Sequence, residues 1–144
     1  MIKNSRVAII IVNWKKYNMT AKCIESVIKS NYPNYEIILV DNESDTSKVS
    51  KFKSRKNVKT ILNSKNEGFS KANNQGIKYA LKNNFDYILL LNNDTVIKSN
   101  LIDVLIKTAQ AKKVDAVQPL ILNHDGKKNM ECWWKNKLFS WNIQ

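Results

Sequence analysis

Glycine, proline, histidine and cysteine are all scarce in this 144-residue chain: three, two, one and two residues respectively. So little glycine and proline excludes long flexible linkers, and no segment repeats at a fixed period. One histidine with Cys23 and Cys132 fits neither a zinc-site spacing nor a disulfide framework, so two reduced thiols are expected. Long apolar runs are missing too. Val7 to Val12 is the longest, far short of the roughly 20 residues that span a bilayer. The stretch after Met1 to Arg6, broken by Asn13 and Lys15, is too short for a secretion signal. Acidic residues number only 12 against 24 Lys plus Arg, and Arg6 and Arg55 are the only arginines.

What is present suits one globular domain. With 43% hydrophobic residues, a chain of this length buries about two-thirds of its unfolded surface. The formal charge of +12 favours anionic partners: nucleic acid, anionic lipid or phosphorylated small molecules. Positive charge concentrates in Lys48, Lys51, Lys53, Arg55, Lys56, Lys59 and Lys65, a stretch with no acidic residue.

Apolar runs alternate with helical patterns. Val7–Val12, Glu36–Val40, Val58–Leu62 and Tyr87–Leu91 read as strands, and Val114–Leu122 as a further one. Between them, Ala21, Ile24, Val27 and Ile28 form a helical stripe that ends at Tyr32-Pro33-Asn34. Ser44 and Asp45 sit in a loop leading into the basic segment. Phe69, Ala72, Asn73, Gly76, Ile77 and Ala80 share one helical face, and Leu101, Val104, Leu105 and Thr108 another. Gly76 costs about 1 kcal/mol against alanine inside a helix, so close packing or a close ligand must justify it. The expected class is α/β, a mostly parallel sheet with helices on both faces.

Open parallel sheets bind ligands beyond the carboxyl ends of their strands. Three strand ends here release polar clusters: Asn13-Trp14-Lys15, Asp41-Asn42 and Asn92-Asn93-Asp94. Asp41 suits hydroxyl or N–H donors of a base or sugar, or else caps its own turn. Asp94 near a diphosphate would need a divalent cation between them, or else it tightens its loop. Gly68, in Asn66-Glu67-Gly68-Phe69, permits positive φ where a helix begins. Neither a Walker A sequence nor a Gly-x-Gly-x-x-Gly loop occurs, so the P-loop and Rossmann dehydrogenase readings lose their main support.

These motifs, in order, resemble the amino-terminal part of a family 2 glycosyltransferase of GT-A fold. The resemblance rests on Val12-Asn13-Trp14, Cys23-Ile24-Glu25-Ser26-Val27, Val40-Asp41-Asn42-Glu43-Ser44, Asn66-Glu67-Gly68-Phe69 with Ala72-Asn73-Asn74, and Leu91-Asn92-Asn93-Asp94-Thr95. It covers residues 6 to 125, and the subgroup it most resembles is the rhamnosyltransferase-like enzymes of surface polysaccharide synthesis. The resemblance implies that Asn13 and Asp41 hold the nucleoside part of a UDP- or dTDP-linked sugar. It places Asn66, Gly68 and Asn73 near the nucleotide sugar, with Gly76 as a packing glycine. Asn92 would lie near the ribose or sugar, and Asp94 would ligate Mg²⁺ or Mn²⁺ beside the diphosphate. The implied reaction is inverting transfer to a glycan or lipid-linked acceptor, in the cytoplasm or at the inner face of the cell membrane.

Two departures from the family pattern matter. Asn92 replaces the first carboxylate of Asp-x-Asp, and Asn93 stands where many relatives carry proline. The family's catalytic base belongs to the second half of the fold, and neither Asp125 nor Glu131 resembles its motif. The expected organisation is therefore a truncated GT-A fold: a nucleotide-sugar-binding domain over 1–125, then an aromatic and basic segment over 126–144 that begins the acceptor half. That last segment carries Trp133, Trp134, Phe139 and Trp141, which suit packing within a longer fold, stacking, or a membrane interface. A second copy or a second subunit could then supply the acceptor half, with peripheral membrane contact. The alternatives are a nonenzymatic or split-partner nucleotide-sugar-binding protein, and a nucleic-acid-binding protein that uses the basic segment.

Overall fold

A computed structural model describes residues 5–122 of the chain. The elements run β1 (Val7–Asn13), α1 (Tyr17–Ile28), β2 (Tyr35–Asp41), α2 (Thr46–Lys53), β3 (Val58–Leu62), α3 (Phe69–Lys82), β4 (Tyr87–Asn92) and α4 (Leu101–Lys112). The chain divides into two compact units, residues 1–104 and 105–144. The first holds the whole sheet, and the second the rest of α4 and the segment after it.

The four strands are all parallel, in the order β3-β2-β1-β4. β1 and β2 are β-branched runs buried on both faces, as a central position demands. The chain steps outward from β1 to β2 to β3, then returns across the sheet to β4. Right-handed crossovers therefore put α1 and α2 on one face and α3 on the other. On the α3 face, Ala8, Ile10, Ile38 and Val40 pack with Ala72 and Ala80. Ile9, Ile11, Ile37 and Leu39 point the opposite way and are fully buried. Burying each such isoleucine contributes about 1.5–3 kcal/mol.

Gly76 has the close packing its position requires. A Cβ built there would lie 2.6 Å from Ile10 Cγ2. The glycine lets α3 sit directly on β1. The strand order reverses between β1 and β4, and the crevice of such a sheet opens outside that point, at the carboxyl ends.

Four expectations need correction. The basic segment begins with a helix, α2, started by Asp45, whose side chain accepts from Ser47 N at 3.1 Å and which buries Val49 and Phe52. Val114–Leu122 is not a strand: only Leu122 forms a bridge, and apolar side chains such as Leu120 (69% exposed) stay in solvent. A β-branched run forms a strand only where a neighbour pairs with it. In α4 the buried positions are Ile102, Ile106 and Ala109, while Val104 and Thr108 are exposed. Phe69 is 64% exposed, because it begins α3 before the helix meets the sheet. Residues 126–144, with their tryptophans, lie outside the described residues, as do Asp125 and Glu131.

Candidate functional site

The register pairs Asn13 with Asp41 and Val12 with Asn92, so three polar strand ends finish side by side. Asn13 Nδ2 donates to Asp41 Oδ1 at 2.5 Å, and the Tyr17 hydroxyl donates to Asp41 Oδ2 at 3.1 Å. Tyr17 also accepts from Asp45 N at 3.0 Å, which ties the start of α1 to the loop after β2. Asp41 is 0% exposed, with both oxygens engaged. Asn13 is equally occupied: its Oδ1 accepts from Thr20 Oγ1 at 2.8 Å, Lys16 N at 3.1 Å and Asn93 Nδ2 at 3.3 Å. A ligand group reaches Asp41 only by displacing one of these partners.

The turn after β4 hangs from the same cluster. Thr95 N donates to the Asn92 carbonyl at 3.1 Å, closing the turn. Asn93 Nδ2 reaches Thr20 Oγ1 at 3.1 Å as well as Asn13. With Asn93 anchored inward, the side chains of Asn92 and Asp94 are exposed at the carboxyl edge of β4. Among the described residues the Asp94 carboxylate has no hydrogen-bonding or ion-pair partner. Its charge is felt by Cys23, whose Sγ donates to the Asn92 carbonyl at 3.5 Å. Burial first, and the Asp94 charge second, push that thiol up to about 12.

The third part is the approach to α3. Asn66 Oδ1 accepts from Gly68 N at 2.9 Å in an Asx turn, and Gly68 takes φ +83°, which only glycine adopts cheaply. Asn42 holds this loop against β2. Its Nδ2 donates to Asn66 Oδ1 at 2.6 Å, and its Oδ1 accepts from Glu67 N at 3.0 Å. Asn63, just past β3, donates to Asn42 Oδ1 at 3.0 Å and exchanges two amide bonds with Gln75 at 2.9 and 3.0 Å. No side chain caps α3, so its first-turn N–H groups remain available at the carboxyl end of the sheet.

Of the expected site residues, Asn13 and Asp41 are joined directly, and Asn66 and Gly68 form one turn. Asn92 and Asp94 flank the turn after β4. Asn73 stands apart: it is buried in α3 and donates to its own helix at the Phe69 carbonyl, 3.0 Å away. Sequence reasoning gave no site role to Tyr17, Thr20, Asn42, Asn63 or Gln75. Asn63 had a signal, since a polar residue ends β3 as Asn13, Asp41 and Asn92 end the other strands. Trp14, 50% exposed beyond the end of β1, was named in its strand-end cluster but given no role of its own.

Similarity to known proteins gives the chain's family. Residues 8–141 match the family described as glycosyl transferase family 2. The chain belongs to that family. Glycosyltransferase GlyG of Streptococcus pneumoniae is similar to it, 32% identical over 83% of the chain and 39% of GlyG. The dTDP-rhamnosyl transferase RfbF of Shigella flexneri is 26% identical over 85% of the chain and 40% of RfbF. The chain thus spans about two-fifths of the length of these relatives. Among solved structures, the mannosyltransferase PcManGT from Pyrobaculum calidifontis, in complex with GDP-Man and Mn²⁺, superposes with a TM-score of 0.65 at 15% identity, over 73% of the chain and 32% of PcManGT. That likeness is one of fold, and this family 2 chain has the parallel α/β architecture of GT-A-like glycosyltransferases.

Proposed function

We propose that residues 5–122 form the donor-binding part of an inverting glycosyltransferase, which takes a sugar from a UDP- or dTDP-linked donor. The observation carrying this reading is the junction of Asn13, Asp41 and the Asn92-Asn93-Asp94 turn at the carboxyl ends of neighbouring strands. Asp41 takes the N–H or hydroxyl groups of the nucleoside once Tyr17 gives way. Trp14 offers its ring to the base, and such stacking contributes about 1–3 kcal/mol. The uncapped start of α3 and its Asn66–Gly68 turn lie under the phosphates and sugar.

Asp94 fits a divalent cation only in company. Among the described residues no three acidic, histidine or cysteine side chains gather into a metal site. One exposed carboxylate beside the neutral Asn92 suits Mg²⁺ or Mn²⁺ that keeps substrate phosphates as ligands. Bound there, the cation would neutralise charge on the nucleoside diphosphate leaving group. The acceptor hydroxyl and its carboxylate base engage residues outside 5–122, from this polypeptide or a partner subunit. The likeness to RfbF supports a place among rhamnosyltransferase-like enzymes of surface polysaccharide synthesis, with a glycan or lipid-linked acceptor. We propose a place in the cytoplasm or at the inner face of the cell membrane, as the resemblance to the family implies. No helix among the described residues is long and apolar enough to cross it.

Saturation-transfer magnetic resonance with UDP, dTDP and GDP tests the donor site. Base and ribose protons of UDP or dTDP should take up saturation from the protein. If neither UDP nor dTDP takes up saturation, the reading is wrong, whether or not GDP does.

A further inference from the structure

Beyond the strand ends, the loops after β1 and β2 are joined by one side chain. Glu43 Oε1 meets Lys15 Nζ at 2.8 Å, and Glu43 Oε2 accepts from the Trp14 indole Nε1–H at 2.9 Å. Each carboxylate oxygen thus serves a different partner on the neighbouring loop. Lys15 and Glu43 each stand two residues beyond the register pair Asn13 and Asp41. Both take left-handed backbone conformations, with φ of +55° and +63°. Glycine would adopt that conformation without strain, so long side chains there need another reason. An exposed ion pair contributes little stability and is a poor reason. Lys15 Nζ also lies 5.8 Å from the Trp14 ring centroid. The indole is therefore held at its edge and accompanied by a cation over the ring, while half of the residue stays open to solvent.

We propose that Glu43 is a positioning residue: it clasps Trp14 and Lys15 together, so that the indole stands pre-set as the plate on which the donor's nucleobase stacks. This rests on the donor-site reading above and adds to it the residue that makes the plate rigid. A loose tryptophan would have to be ordered when the base arrives, and that ordering weakens binding. Glu43 orders it beforehand. The αL backbone at both loops aims the two side chains at each other across the strand ends.

The test combines an indole spectrum with a binding cycle. The Trp14 indole N–H signal is identified by its absence in Trp14→Phe. In Glu43→Ala its exchange with water should rise several-fold, while the backbone spectrum away from the two loops stays in place. Dissociation constants for UDP and dTDP, each with Mn²⁺, are then measured for the wild type, Glu43→Ala, Trp14→Ala and the double variant. Loss of the clasp should weaken binding about 3- to 10-fold in the wild type, and by less than about 1.5-fold once Trp14 is gone. Glu43→Gln keeps an acceptor for the indole and should recover at least half of the loss. Unchanged indole exchange, an equal effect in both backgrounds, or a glutamine as poor as alanine would overturn the proposal. A wild type that binds neither nucleotide would instead defeat the donor-site reading beneath it.

Discussion

Replacing Gly76 by alanine sets two effects of known size against each other. Alanine is better than glycine in a helix interior by about 1 kcal/mol. Against that, the new Cβ would stand 2.6 Å from Ile10 Cγ2, 3.1 Å from Cγ1 and 3.2 Å from Cδ1. Ile10 is fully buried and β-branched, so its γ carbons cannot swing aside without leaving a favoured rotamer. Overpacking of this kind costs about 1–3 kcal/mol. The steric cost wins, and Gly76→Ala should destabilise the chain by about 1 kcal/mol net. With a urea m-value of about 2 kcal/mol/M, the unfolding midpoint falls by about 0.5 M. Removing the obstacle should reverse the sign. Ile10→Ala alone costs about 2–5 kcal/mol, yet in its background Gly76→Ala should raise the midpoint. Urea titrations of the four chains, followed by circular dichroism, give the coupling directly. A Gly76→Ala chain more stable than the wild type would refute the close seating of α3 on β1.

Two further predictions concern the interior. Tyr17→Phe leaves Asp41 Oδ2 and Asp45 N without their shared partner; it should cost about 1–3 kcal/mol, and an unchanged urea midpoint would contradict the bridge. Alkaline pH should weaken the fold. Burial is the main cause holding Cys23, Tyr17, Tyr32, Tyr35 and Tyr79 protonated above their ordinary values, with Cys23 moved from 9.0 to about 12. The unfolded chain sheds these protons first, so the thiol's stabilisation is complete only well below its unfolded value of 9.0, and the stabilisation is lost as pH rises through that value toward 12. The thiol alone accounts for roughly 1 kcal/mol between pH 8 and 10, and a midpoint that does not fall over that interval would contradict it. In a Cys132→Ser chain, Cys23 should also resist a thiol reagent at pH 8 until urea unfolds the protein.

The sheet and the helices α1 and α3 were legible because their signals are local. Val7–Val12 and Glu36–Val40 are continuous β-branched or aliphatic runs, and Ala72, Gly76 and Ala80 recur at helical spacing. α2 was obscured by its lysines: only Val49 and Phe52 mark its buried face, and Asp45 reads equally well as a loop residue or a cap. α4 carries apolar residues over a wide arc, so Leu101-Leu105 and Ile102-Ile106 are equally periodic, and only tertiary packing chooses between them. Val114–Leu122 has strand composition, but composition does not supply a partner strand. In the site, the sequence pointed to Asn13 and Asp41 without showing that Asn13 Nδ2 donates to Asp41 Oδ1, because that follows from the register between β1 and β2. The Asn42–Asn63–Gln75 amide chain likewise joins residues distant in sequence, and Glu43 reaches the neighbouring loop at Trp14 and Lys15.

The central claim is that this part of the family 2 fold holds a nucleoside diphosphate, with Asp94 serving its metal. Calorimetric titration of the wild type and Asp94→Ala with UDP or dTDP, each with and without Mn²⁺, tests it most directly. The account predicts binding that is strengthened by Mn²⁺ in the wild type and weakened at least tenfold, with that metal dependence lost, in Asp94→Ala. Equal affinity in the two chains in the presence of Mn²⁺ would contradict it.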